Sequence, residues 1–358
     1  MKADADIVRL SVPFVAGVGL SAWIDAPTVC ASAALAAVAA CFFFAARSGR
    51  RTAVIALLFL GLGVLCHSGA AILPFRNPAP SAASGALGKL SALIDGLPFS
   101  ERETNALLKA FLTGQRKGLG KALSGSFRAA GASHLLALSG LHLGVIYLIL
   151  SKLLAVIGNS RLAYAVRSVL IVACSAFYVL MTGASPSIVR AFLFILLAEI
   201  ARNCPGRSKT PLSVWCTALL IQLVFRPEAI SSTGFQLSYL AMLGIFLLYP
   251  SMKEWYPGGG SKREKWNPLR RMWEAMALST SCQLFTAPLV WITFHTFPRY
   301  FLLTNLIALP LTEALIACGV ALTALAAFGS SPVPLLRLTD CLSFALRRSL
   351  DIIASLSS

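Results

Sequence analysis

Charged residues are scarce in this chain. They make up 13% of its 358 residues, against about 25% in an ordinary soluble domain. Hydrophobic residues make up 57%, more apolar surface than a soluble fold of this length can hide, so a bilayer must solvate most of it. That balance excludes disorder, coiled coil and collagen. The nine cysteines contain no CxxC pair and mostly stand inside apolar runs, which excludes a disulfide framework and a zinc site. A GxxxxGK[ST] phosphate loop is missing, so no motif supports nucleotide hydrolysis. The first residues also lack a cleavable signal: Arg9 falls inside the first apolar run, and no A-x-A site follows a compact apolar region.

What remains is an all-α, polytopic helical membrane protein. Apolar runs of spanning length fall near 7–24, 28–46, 52–73, 132–157, 162–182, 186–201, 211–225, 233–250, 272–295 and 300–328. An eleventh, 334–356, is amphipathic and interrupted by Arg347 and Arg348, so it either crosses or lies at the interface. The sequence therefore predicts about ten or eleven spans, some broken by Pro or Gly. Lys and Arg total 31 against 14 Asp and Glu, a net charge of +17. Cytoplasmic loops account for part of that excess. Nucleic acid or anionic lipid is the reading of the remainder. Arg47, Arg50 and Arg51, then Arg202, Arg207 and Lys209, then the Lys253–Arg271 loop around Gly258-Gly259-Gly260 mark the basic side. The alternate loops are nearly bare. The N-terminus is thus expected in the cytoplasm.

Residues 74–131 break this pattern, because they count as external yet carry Arg76, Lys89, Arg102, Lys109, Arg116, Lys117, Lys121 and Arg128. PFRNPAPSAASG reads as a linker. Ser100-Glu101-Arg102-Glu103 reads as a capping box opening a helix that stops at Gly114. On the next helix Lys117, Lys121, Ser124 and Arg128 form one narrow stripe, and Leu119, Leu123, Phe127 and Ala130 lie opposite. Such a ridge either touches lipid phosphate or gathers an incoming polyanion. Arg116, Lys117, Lys121 and Arg128 are the DNA-binding candidates.

Polar groups at membrane depth each ask for a partner or a water-filled path. Read as one helix, the fourth run places His134, Ser139 and His142 within about 140° of one another, with the two histidines about 12 Å apart along the axis. That separation prevents joint metal ligation unless Ser139-Gly140 breaks the helix. Each histidine reads either as a hydrogen-bonded structural group or as a ligand or base. In the sixth run Ser185 suits an N-cap and Pro186 a first helical residue, followed by Ser187. Arg190, about 7.5 Å further in, either snorkels outward or faces a lumen. The eighth run offers Gln236 and Ser238; the ninth offers Ser279, Gln283 and Thr286, interrupted by Pro288; the tenth offers Asn305, Pro310, Thr312 and Glu313. The prolines predict broken helices there. The lumen candidates are His134, Ser139, Gly140, His142, Ser185, Ser187, Arg190, Gln236, Ser238, Gln283, Thr286 and Asn305.

Taken in order, these segments resemble the membrane domain of ComEC-type competence proteins. The resemblance runs from Ala106 to Gly144 (LLKAFLTGQRKGL, then FRAAGASHLLALSGLHLG), then SPSIVRA (185–191), STGFQLSYLAMLGI (232–245) and QLFTAPLVWITFHTFPRYFLLTNLIALPL (283–311). It implies an inner-membrane channel passing single-stranded DNA into the cytoplasm during natural transformation. A separate DNA receptor, nuclease, and cytoplasmic motor or DNA-binding proteins are the implied partners. Longer members carry an OB-like domain where this chain has only 74–131, and many end in a metallo-β-lactamase-like domain. With histidine only at 67, 134, 142 and 295, no HxHxDH-type cluster is present, so the expectation is a short form lacking both domains. Its expected parts are N-terminal transmembrane helices (1–73), an outer-side linker with basic helices (74–131), the channel core (132–328) and a C-terminal helix (329–358). A small-solute transporter, or a member repurposed for another membrane role, is the alternative. An intramembrane enzyme with Ser139 as nucleophile and a histidine base also competes, but ALSG differs from the GxSG of rhomboid-type proteases. No catalytic residue, metal or cofactor is assigned.

Overall fold

The computed structural model describes residues 2–24, 26–45, 51–72, 81–158, 160–203, 210–256, 267–295 and 299–357. All regular structure among them is helical, with no strand. In chain order the helices are α1 (Lys2–Trp23), α2 (Pro27–Ala45), α3 (Arg51–Ile72), α4 (Ser81–Asp95), α5 (Arg102–Thr113), α6 (Lys121–Ala129), α7 (Ser133–Leu136) and α8 (Gly140–Leu153). They continue with α9 (Arg161–Met181), α10 (Pro186–Asn203), α11 (Pro211–Phe225), α12 (Thr233–Leu247), α13 (Tyr249–Glu254), α14 (Pro268–Phe294), α15 (Phe301–Ala327) and α16 (Val333–Ser357). Residues 74–80 of the expected linker, Arg47, Arg50, Arg207, Lys209 and the glycine loop at 258–260 lie outside the described residues.

Among the described residues six stretches are long and apolar enough to cross a bilayer: Asp6–Trp23, Thr52–Ile72, Gly140–Ile157, Arg161–Met181, Pro268–Phe294 and Phe301–Ala327. Pro27–Cys41, Pro211–Phe225 and Thr233–Leu247 are shorter apolar helices. The two remaining apolar runs are helices as well, α10 and α16, each carrying several charges. The protein is therefore an all-α multi-pass membrane protein.

The chain divides into two compact units, one of Met1–Pro78 with Ile200–Phe246, the other of Ala79–Glu199 with Leu247–Ser358. In the first, α1 and α3 meet backbone to backbone. A Cβ at Gly17 would stand 2.1 Å from the Leu60 carbonyl oxygen, and one at Gly63 would stand 2.2 Å from that of Phe14. Small residues allow this approach where lipid provides no hydrophobic drive. Phe14 and Val18 then bury against Leu219 and Leu223 of α11 and Phe235 of α12.

The second unit is organised around α5. Leu107, Leu108 and Phe111 are wholly buried, packed with Phe127, Leu135, Leu315, Ile316, Leu346 and Leu350 from α6, α7, α15 and α16. A Cβ at Gly319 would lie 2.6 Å from Leu108 Cδ2, so α15 runs close over α5. Arg347 of α16 pairs with Glu101 and Glu103 at the start of α5. The apolar faces of α5 and α6 are part of the same core as α15 and α16.

Local expectations also change. The linker reading gives way to helix from Ser81, where Ala, Ser and Leu dominate. Glu101 rather than Ser100 is the N-cap of α5, with no side-chain cap bond, because its carboxylate is engaged by Arg347; the helix does end at Gly114, which adopts φ 76°. α6 starts at Lys121, leaving Lys117 on the preceding turn, since Gly118 and Gly120 discourage an earlier start. α14 and α15 run unbroken through Pro288 and Pro310; one missing N–H is tolerated within a helix this long. The interruption falls in the fourth run instead, at 137–139.

Replacing Gly63 with Val should weaken the α1–α3 contact by about 1–3 kcal/mol through overpacking. Thermal unfolding in detergent checks this, and Gly69→Val, with nothing within 4 Å of its Cβ, should leave the midpoint unchanged.

Candidate functional site

Between α7 and α8 the chain leaves the helix. Ala137 is extended (φ −79°, ψ 132°), and so is Ser139 (φ −125°, ψ 174°), the N-cap of α8. Ser139 and His142 form a capping box. The Ser139 N–H donates to His142 Nδ1 at 3.1 Å, and the Ser139 hydroxyl lies 3.1 Å from the same nitrogen. Nδ1 therefore acts as an acceptor, and the neutral ring carries its proton on Nε2. His142 is wholly buried, and its Nε2 has no hydrogen-bond partner among the described residues.

The segment after α5 clasps this break. Arg116 Nε donates to the Leu136 carbonyl at 3.1 Å. Leu138 packs where a Cβ on Gly114 would come within 2.5 Å, so the left-handed glycine both ends α5 and makes room for Leu138. Phe111 lies 5.9 Å from the His142 ring, and the Tyr178 hydroxyl of α9 donates to the Leu112 carbonyl at 3.0 Å. The motifs LLKAFLTGQRKGL and HLLALSGLH thus pack against each other.

Arg190 closes the other side. It is 8% exposed, which excludes outward snorkelling. A Cβ on Gly140 would sit 3.8 Å from its guanidinium and 3.4 Å from Ala191 Cβ, ordinary contact distances, so α10 lies against the start of α8. Arg190 also lies within electrostatic reach of Cys282 on α14. The break thus gathers the positive end of α8, a buried guanidinium and a buried imidazole N–H. That donor set suits anionic oxygens.

The remaining candidates separate. Ser185 Oγ, Gln283 Nε2 and Asn305 Oδ1 are, like His142 Nε2, buried polar atoms without a hydrogen-bond partner among the described residues; such groups cost about 1–3 kcal/mol each unless satisfied. Pro186 opens α10 as expected, and Ser187 is half-buried in its first turn. Thr286 is satisfied within its own helix by the Cys282 carbonyl at 2.9 Å. His134 is exposed on α7 and pairs with the Gly131 carbonyl at 3.1 Å; the break takes it off the helix of His142, which overturns the single-face arithmetic. Gln236 and Ser238 belong to the first unit, and the Gln236 amide donates to the Ile230 carbonyl at 2.7 Å. Lys117, Lys121 and Arg128 are exposed opposite buried Leu123 and Phe127, and Arg116 is exposed apart from its bond to Leu136.

One buried group escaped the sequence reading. Glu199 on α10 is 3% exposed and accepts from the Tyr147 hydroxyl at 3.0 Å and the Ser168 hydroxyl at 2.7 Å. A carboxylate inside the apolar run 186–201 was the available signal. Among the described residues no group of three or more His, Cys, Asp or Glu could hold a metal ion.

Ser139→Ala should cost about 1 kcal/mol of stability through loss of the cap, while Ser139→Asn, which caps as well, should cost little. Melting in detergent measures both.

The chain is 29% identical over 147 residues to ComE operon protein 3 of Bacillus subtilis, covering 40% of this chain and 18% of that protein. It is 25% identical over 214 residues to the uncharacterized protein YcaI of Escherichia coli, covering 58% of this chain and 27% of that one. The aligned stretches thus span about a fifth to a quarter of these relatives' length. No solved structure matches. Residues 111–358 match the competence protein family. That match takes in the clasped break, Arg190 and the polar spans α14 and α15, and the chain belongs to the competence protein family.

Proposed function

We propose that this protein is an inner-membrane channel that passes single-stranded DNA into the cytoplasm during natural transformation. The observation that carries the reading is the link between two cationic features. Exposed Lys117, Lys121 and Arg128 stand on the segment that Arg116 ties to the end of α7, beside the break with its buried Arg190 and His142. A strand collected by the ridge would meet donors for phosphate oxygens rather than base-specific contacts, as sequence-independent passage requires. The loop charges support a cytoplasmic N-terminus with residues 74–131 outside. A separate receptor, nuclease and cytoplasmic motor or DNA-binding proteins would supply capture, strand removal and energy.

The Ser139–His142 pair also has the spacing of a nucleophile and base. Its geometry favours the cap: His142 Nδ1 already accepts the Ser139 N–H, so the nitrogen facing the hydroxyl is committed to the backbone. We assign no catalysis to it.

Reversing Lys117, Lys121 and Arg128 to Glu should weaken single-stranded DNA binding by the purified protein. The slope of log affinity against log salt should fall by about 2. Unchanged affinity at low salt would leave α6 as an interfacial helix that meets lipid phosphate.

A further inference from the structure

Glu313 is held by no hydrogen bond or ion pair to any described residue, and it is exposed on α15. It is near the middle of that 27-residue apolar helix, about 18–21 Å from either end at ~1.5 Å per residue. A 27-residue helix exceeds the ~30 Å hydrocarbon layer, so Glu313 lies close to the midplane. An ionised carboxylate there cannot rest against acyl chains at modest cost; it requires water or a countercharge, and without them the group stays protonated.

A second feature shares its face. Pro310, also exposed, donates no hydrogen bond, which frees the Leu306 carbonyl one turn earlier. On an α-helix Leu306, Pro310 and Glu313 fall within about 40–60° of one another. The freed carbonyl and the carboxylate are both acceptors. With Glu313 ionised neither can satisfy the other, and both call for water protons or a cation. The rest of the exposed stripe, Leu303, Ala321 and Ala324, is small or apolar and supplies neither.

We propose that this face of α15 borders a water-filled path through the membrane and that Glu313 gives the path a preference for cations. Carboxylates lining cation pores act in this way. The inference does not depend on the DNA reading, since it holds whatever solute the His142–Arg190 break admits.

Cysteine accessibility in native membranes tests it without a DNA assay. In a background with the nine native cysteines replaced by Ser or Ala and shown to elute as a folded species, Ala317→Cys places a thiol one turn from Glu313. With each rate normalised to that reagent's rate with a free thiol in water, a cationic methanethiosulfonate should modify it about tenfold faster than an anionic one, the ratio expected for opposite unit charges about 6 Å from a carboxylate in water. Glu313→Gln should bring the ratio close to one, and Glu313→Ala supplies the same comparison should the Gln variant fail to fold. Val169→Cys, on an exposed apolar position of α9, should remain unmodified. An unreactive Cys at 317 would overturn the proposal by showing the face covered by lipid or protein. A ratio near one with Glu313 present, or one that survives its replacement, would overturn it equally.

Discussion

Buried backbone that leaves a helix has no water to bond, so it persists only where protein takes over the lost hydrogen bonds. The break at 137–139 sets that requirement, and the second unit meets it. His142 turns back to the Ser139 N–H, Arg116 reaches the Leu136 carbonyl, and Gly114 yields its side-chain space to Leu138. The wholly buried Leu107, Leu108 and Phe111 of α5 hold these contacts in place. The basic segment, the break and the core that includes α15 and α16 are thereby one mechanical assembly rather than separate modules.

The same constraint explains the chemistry of the site. The break exposes the positive end of α8, and Arg190 places a full charge beside Gly140, the first residue of that helix. A buried donor without a partner among the described residues, as His142 Nε2 is, is expensive, so a membrane protein that retains one places it where an anion or water enters.

Much of this was legible in the sequence. Apolar runs gave the helices, because length and hydropathy alone decide what a bilayer accepts. Gly114 and Pro186 marked a helix end and a helix start through backbone preferences that tertiary contacts did not override. The position of the break was harder. Ser139-Gly140 offered the signal, but Pro288 and Pro310 offered stronger ones that the long helices absorb. His134 was misplaced for that reason, since helical arithmetic fails once φ and ψ leave the helix. Ser100 to Glu103 resembled a local capping box, and only the fold brings Arg347 to Glu101 and Glu103. The division into two units is likewise set by contacts between distant segments, such as Thr304 Oγ1 donating to the Ala130 carbonyl at 2.7 Å, which no local pattern announces.

The central claim is that the clasped break lies on the route of the nucleic acid. A photoreactive side chain at position 139, with a second variant carrying it at position 169, tests this in cells taking up labelled single-stranded DNA. The account predicts a DNA adduct formed on irradiation at position 139 and none at position 169. Continued uptake with no adduct at 139 would contradict it and move the route away from the α7–α8 break.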